Sequence, residues 1–360
     1  MTPDLPAMSG GLRVIYGLVE HLNELGFHAC VWHGTPGHRY ESFSSRAPVV
    51  TGRSVHLAEG DVVVMPEVGG AKWADLNPEV PTVMLVQGVD FLFADAGFTT
   101  PTQHPYPGWP QAAAAITVSE TIAEFLAGVL PEGFPLFRVP LEIDTQLYRP
   151  GVKEPRIAFM PRRRREDLLS VVHLLHRRGA FAREWDLLPI DNMSVEQVAE
   201  AMGRAAIFLN AGEREGFGLP GAEALAAGCH VIGFSGHGGR EYMLPEFSEI
   251  IPESDVVAMA ASVEKAMAEF SQQPSAYAER SAAGRAFIID RFGRESQATA
   301  LRAAFGALTA PDSPVLVMRP TEALHFQSRA PQGAAQRGYV ALRSMAGSLR
   351  RRWFGSTGAS

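Results

Sequence analysis

The sequence runs to 360 residues, 46% hydrophobic and 20% charged, with a formal net charge of −7 and a mean hydropathy near zero. These figures exclude a disordered or fibrous chain and a lone small binding module, and at roughly 100–200 residues per domain they predict two domains. No run of about 18 uncharged apolar residues occurs, and the opening MTPDLPAMSGG lacks the basic-then-apolar layout of a secretory leader, so a cytoplasmic protein is expected.

In chain order, Ser9-Gly10-Gly11 forms a glycine turn ahead of an amphipathic helix over 12–25. Val14, Ile15, Leu18, Val19, Leu22 and Leu25 repeat at helical spacing and Gly26 is the stop. Short apolar runs at 29–33, 62–65, 82–86 and 115–118 read as strands, and Ser119 as the N-cap of a helix over 120–130. A Pro- and Gly-rich break over 131–155 precedes a second series: strand 156–161, helix 168–178, strand 186–190, helix 195–203, strand 206–210, helix 220–227 and strand 230–234. Helices over 255–270 and within 274–308 follow. This alternation predicts an α/β protein with two doubly wound, Rossmann-like parallel sheets, over residues 1–150 and 151–310.

One element is short or missing. The first strand of a doubly wound domain lies centrally in its sheet, yet the glycine turn arrives after only eight residues. Either the start codon is placed too late and a further strand of about six to ten residues precedes Met1, or residues 1–5 serve as a stub. The two cysteines, Cys30 and Cys229, cannot make a disulfide framework or a four-ligand zinc site and are expected to be buried thiols.

Charge is segregated. From Pro311 onward seven arginines face only Asp312 and Glu322, leaving +5 in a tail over 311–360 and −12 in the rest. Tyr339, Leu342, Ala346, Leu349 and Trp353 repeat there at helical spacing among Arg343, Arg350, Arg351 and Arg352. This is the pattern of a basic amphipathic helix suited to an anionic membrane surface, or equally of an arginine-rich extension with chance periodicity.

The densest chemical signal is EREGFGLPGAEALAAGCHVIGF, residues 213–234. Pro220 suits the first turn of a helix and Gly228 its end, so Glu215 lies in a loop while Glu223 lies in the helix. Eight residues are about 80° off a common helix face, so the two carboxylates converge on one ligand only because the first is not helical. Gly216, Gly218 and Gly221 admit close approach of backbone amides. This cluster stands at the C-terminal end of a strand, where α/β folds bind ligands.

Glu215-Gly-Phe-Gly-Leu-Pro-x-x-Glu223-Ala-Leu-Ala-x-Gly resembles the E-x7-E segment of glycosyltransferase family 4, the group 1 glycosyltransferases, which are retaining enzymes of the GT-B fold. Ser9-Gly10-Gly11 resembles that family's N-terminal Gly-Gly loop, 116–126 its strand-Ser-helix segment, and 139–150 its interdomain stretch, so the likeness spans roughly residues 9–300. The resemblance implies two Rossmann-like domains facing a cleft, with the acceptor on the first and a nucleoside-diphosphate sugar on the second. It implies that Glu223 holds the donor ribose. It assigns Glu215, with the backbone of Phe217, Gly218 and Leu219, to the donor sugar.

Arg162-Arg163-Arg164-Arg165 follows a strand on the same rim. The planar guanidinium fork suits a leaving diphosphate, and Arg162 and Arg164 are the preferred candidates; a solvated basic face is the plain alternative. Gly10 and Gly11 open a helix whose free amides attract phosphate, although a glycine pair is also an ordinary turn. The chain departs from the family pattern in three places. Asp167 stands near the expected Lys, Glu241 in His237-Gly238-Gly239-Arg240-Glu241 arrives one residue early, and Gln87-Gly88-Val89-Asp90 stands where the family has a His. No D-x-D occurs and no His/Cys/Asp/Glu cluster has ligand spacing along the chain, so no metal and no cofactor are expected.

The expected reaction is hexose transfer from a nucleoside-diphosphate sugar to a hydroxyl of a glycan or lipid-linked acceptor, with no nucleic-acid partner. The competing readings are a nucleotide-sugar epimerase or phosphorylase on the same fold, and a non-catalytic subunit that binds a nucleotide sugar or glycan.

Overall fold

The computed structural model describes residues 1–5, 9–40, 44–68, 77, 79–93, 112–182, 184–318 and 324–325. In the first half, Ser9 caps helix α1 (Gly10–Glu24) by accepting from the Leu12 amide, and Leu12, Ile15, Leu18, Val19 and Leu22 are buried along one face. Strand β1 (Val31–His33) pairs in parallel with β2 (Val49–Thr51). A second parallel group runs in the order β3 (Val63–Pro66), β4 (Thr82–Val86), β5 (Ala112–Thr117) and β6 (Leu136–Arg138), with α2 (Glu120–Val129) between the last two in sequence. Every residue of β4 is buried, as expected of a strand covered on both faces.

Residues 1–5 lie between these two groups. The Thr2 amide donates to the Trp32 carbonyl at 3.1 Å, and the Met1 nitrogen to the Val64 carbonyl at 2.9 Å. The central position of the sheet is therefore held by the stub, which supplies hydrogen bonds without itself forming a regular strand.

The second half is one five-stranded parallel sheet, in the order β11 (Ser248–Ile250), β10 (His230–His237), β9 (Ala205–Glu215), β7 (Glu154–Phe159) and β8 (Asp186–Pro189). Helices α3 (Arg165–Arg177), α4 (Val195–Arg204) and α5 (Leu219–Ala226) connect these strands, and α6 (Val256–Gln272) packs against α3. Two further helices, α7 (Pro274–Phe292) and α8 (Arg294–Leu308), end the helical part. The Lys153 ammonium, itself buried, donates to the carbonyls of Met202, Ala205 and Ala227, tying the ends of α4 and α5 to the sheet.

Several expectations need correction. Helix α8, assigned by sequence to the second domain, returns to the first half: the Gln297 side chain donates to the Pro140 carbonyl at 2.9 Å and bonds His21 at 2.8 Å, and Phe305 packs on Phe27. Strand β9 extends to Glu215 rather than ending at 210, because its pairing with β10 continues past an irregularity after Gly212. Cys229 is buried but Cys30 is exposed, since β1 starts one residue after it. The stretch after Pro311 is not wholly separate, because Val315 and Val317 are buried, Val317 bonds Asp61, and Leu324–His325 pairs antiparallel with Ser54–Val55. The arginine-rich periodic segment beyond 325 lies outside the described residues.

Candidate active site

The strongest sequence signal occupies the junction of the two halves. Strand β9, the middle strand, delivers Glu215 to the C-terminal end of the sheet, and the chain turns through Gly216-Phe217-Gly218 into α5, whose N-cap Gly218 has φ +88°, a conformation that disfavours any side chain. Leu219 is the first helical residue, so Pro220 sits second rather than first. Tyr242 fastens this turn by donating from its hydroxyl to the Gly218 carbonyl at 2.5 Å. The Phe217 side chain, 2% exposed, packs between Tyr242 and Phe292, leaving only its backbone to face a ligand. A Cβ on Gly216 would overlap the Gln87 carbonyl oxygen, so the two halves touch backbone to backbone there.

Glu215 is 22% exposed and meets Arg163 at 2.6 Å, and Arg163 also donates to the Glu213 carbonyl at 3.0 Å. Burial pushes the Glu215 carboxyl up, and the Arg163 guanidinium works against that shift. Glu223, one turn into α5, is pushed up to about 7 by burial, opposed by a hydrogen bond with the Tyr148 hydroxyl and by the charge of Arg13 from α1. In this ligand-free arrangement the carboxyl is held against Tyr148. The two acids thus flank a turn of free amides at a helix start, an arrangement suited to an anionic, hydroxyl-rich ligand.

The four-arginine run separates into different roles. Arg163 alone reaches Glu215. Arg162 is 76% exposed and lies 3.7 Å from Asp191. Arg164, the left-handed N-cap of α3, is engaged with Asp167, Glu253 and Ser254 and lies over the Phe234 ring. The run's tight turn sends neighbours in different directions, which a count of arginines does not reveal. Gly10 and Gly11 stand at the first turn of α1, where the Gln87 side chain donates to the Gly11 carbonyl at 3.2 Å.

The second glycine loop serves the junction. Glu241 accepts from the Glu120 amide at the start of α2 at 3.0 Å and is paired with Arg138, while Arg138 also meets Glu120 at 3.2 Å. Asp90 is exposed in a short turn, Val89–Phe91. Sequence reasoning did not join Arg13 or Tyr148 to this site, and within the arginine run it preferred Arg162 and Arg164 to Arg163. Tyr148 does fall in the interdomain stretch singled out above, but nothing in the spacing joins it to Glu223.

Ligand-type spacing is absent along the chain, but folding does bring Asp4, His33 and His38 together. Both ring nitrogens of His33 are taken, by Asp4 at 2.8 Å and by the Tyr16 hydroxyl at 2.7 Å, so this group is organised as a hydrogen-bond network.

Parallel strands in both halves and an acid-flanked glycine turn where the halves meet are the architecture of the two-Rossmann-domain GT-B fold. Residues 189–282, which include both Glu215 and Glu223, match the family described as glycosyl transferases group 1. An α-1,6-glucosyltransferase of Actinobacillus pleuropneumoniae serotype 7 is 25% identical over 249 residues, covering 64% of this chain and 70% of that protein. Among solved structures, sucrose-phosphate synthase from Thermosynechococcus elongatus superposes with a TM-score of 0.58 at 13% identity, over 83% of this chain and 94% of that one. A glycosyltransferase from Rickettsia africae gives 0.57 at 13% identity over 84% and 97%. WaaG, a glycosyltransferase involved in lipopolysaccharide biosynthesis, gives 0.52 at 14% over 85% and 98%. The chain is a glycosyltransferase, and residues 189–282 of it are similar to the group 1 domain.

Proposed function

We propose that this enzyme is a retaining, metal-independent member of glycosyltransferase family 4. It moves a hexose from a nucleoside-diphosphate sugar to a hydroxyl of a glycan or lipid-linked acceptor. The observation that carries this reading is the Arg163–Glu215 pair above the Gly216–Gly218 turn, with Glu223 one helical turn further in. Glu223 takes the ribose hydroxyls, and Glu215 with the amides following it takes the sugar. Arg163, the exposed Arg162 and the amides at the starts of α1 and α5 offset the charge that develops on the leaving diphosphate. Such preorganised charge is a large catalytic contribution in many enzymes. A hexose donor agrees with the name of the Actinobacillus relative, and retention rests on the family resemblance. The first half carries the acceptor side.

Among the described residues, no helix is long and apolar enough to cross a membrane. The proposed location is the cytoplasm, with the arginine-rich tail making reversible contact with anionic lipid.

The test is a thermal-shift panel of UDP-, ADP-, GDP- and dTDP-sugars, followed by proton NMR of the product formed from the stabilising donor. An α-configured product from an α-configured donor is expected. A β-configured product overturns retention, and stabilisation by no sugar nucleotide overturns the donor site.

A further inference from the structure

Glu67 is a half-buried residue whose carboxyl the donor site does not use. It directly follows β3, on the same strand-end rim as Gln87, which directly follows β4. The Gln87 amide donates to Glu67 Oε1 at 3.2 Å, and the Gly88 amide also bonds this carboxyl. A Cβ on Gly88 would lie 3.9 Å from that oxygen. Amides just past a strand end have lost their ladder partners, and a carboxylate supplies acceptors for two of them at once. Burial pushes Glu67 up to about 7 in spite of these bonds. Glu67 is therefore held partly out of water at a cost that its hydrogen bonds only partly offset.

The segment held by Glu67 touches both glycine turns of the site. The Gln87 side chain bonds the Gly11 carbonyl at 3.2 Å, and its Oε1 would lie 3.3 Å from a Cβ on Gly11. The Gln87 carbonyl oxygen fills the space that a Cβ on Gly216 would need, next to Glu215. One residue thus gauges the distance between the start of α1 in one half and the donor turn in the other.

We propose that Glu67 is a positioning residue for glycosyl transfer: it fixes Gln87 and Gly88 so that the Gly10–Gly11 turn and the Glu215–Gly216 turn close on the donor in register. This deepens the donor-site reading above and rests on it. A small displacement of a group that aligns a reactive site costs on the order of 10²-fold in rate, whereas nucleotide binding, held mainly by the second half, is largely spared.

The test compares Glu67→Ala and Glu67→Gln with the wild type in kcat, donor KM, thermal midpoint and affinity for the best of UDP, ADP and GDP. Glu67→Ala is expected to lower kcat about 10- to 100-fold with the nucleotide Kd changed less than about threefold. Glu67→Gln, which keeps an acceptor oxygen in place, is expected to recover most of that loss. The proposal is overturned if Glu67→Ala retains full kcat, if its loss merely follows the loss of folded protein, or if Glu67→Gln is as impaired as Glu67→Ala at equal stability. Should the wild type bind no nucleotide or transfer no sugar, the donor-site reading itself fails. Small-angle scattering of the ligand-free proteins then decides whether Glu67 sets the register of the two halves, and a Glu67→Ala protein with the same dimensions as wild type overturns it.

Discussion

Replacing Glu223 by Gln keeps the side chain's shape and removes its charge, and the structure fixes the sign and scale of the result. Burial, against the opposing hydrogen bond from Tyr148 and the charge of Arg13, raises this carboxyl from the ordinary 4.5 to about 7, a difference of about 3 kcal/mol between its protonated and charged forms. A carboxyl whose folded pKa exceeds its unfolded value contributes stability that is complete below about pH 4.5 and is lost as pH rises through about 7. The ligand-free wild type should therefore lose up to about 3 kcal/mol from this group between pH 4.5 and pH 8, and Glu223→Gln should not. At pH 8 the variant is expected to melt several degrees above wild type, and near pH 4.5 at the same temperature. Nucleotide binding should show the opposite preference. If the charged form accepts from the ribose hydroxyls, wild-type affinity should tighten as pH passes 7. The variant should bind about 10- to 100-fold more weakly at pH 8, as befits loss of a charge-assisted hydrogen bond worth roughly 1.5–3 kcal/mol. Scanning fluorimetry across pH 4.5–8 with titration calorimetry at pH 6 and pH 8 measures both. Parallel melting curves at every pH would refute the burial argument, and undiminished affinity in the variant would refute the ribose assignment.

Arg163→Ala should lower kcat about 10²-fold, as loss of one preorganised donor does, whereas Arg164→Ala should chiefly lower the melting temperature, because its partners belong to the frame around α3; steady-state kinetics beside a melt separates the two. Glu215→Ala should reduce turnover with little change in nucleotide Kd, checked by calorimetry with free nucleoside diphosphate. Turnover should be unaffected by EDTA, and a strict requirement for a divalent cation would contradict the arginine-based account and turn attention to Asp4, His33 and His38. A chain ending at His325, which retains the buried Val315 and Val317, should lose salt-sensitive co-sedimentation with anionic liposomes that the full chain shows, since each arginine near such a surface contributes about 1 kcal/mol.

The sequence disclosed most where a local rule had one solution. The periodic face of α1, the Ser119 cap and the apolar run at 82–86 could be read directly because helix and strand periods leave few alternatives. The Glu215–Glu223 segment was legible for the same reason: a glycine turn, an early proline and two acids within nine residues constrain one another. Long-range choices were not legible. Arg163 rather than Arg162 or Arg164 faces Glu215 because of a left-handed backbone at Arg164, φ +44°, which no arginine count announces. Tyr148 and Arg13 reach Glu223 only through the docking of the two halves, and the burial of Val315 depends on packing against a strand edge some 250 residues earlier in the chain.

Among the described residues the chain passes between the halves twice, once through 139–150 and once at the α7–α8 joint, and the two passages run side by side. The Ile143 amide donates to the Phe292 carbonyl at 2.8 Å, and Arg294 grips both oxygens of Glu142. A single tether would leave two bodies free to bend and to twist about it. Two tethers bonded to each other suppress the twist and leave bending about one axis. Phe292, at that axis, also lies against Phe217, their ring centroids 5.0 Å apart, so the joint and the turn proposed to receive the sugar are one packed unit. A substitution at Phe292 should therefore be felt at Glu215, two residues before Phe217, without touching any substrate.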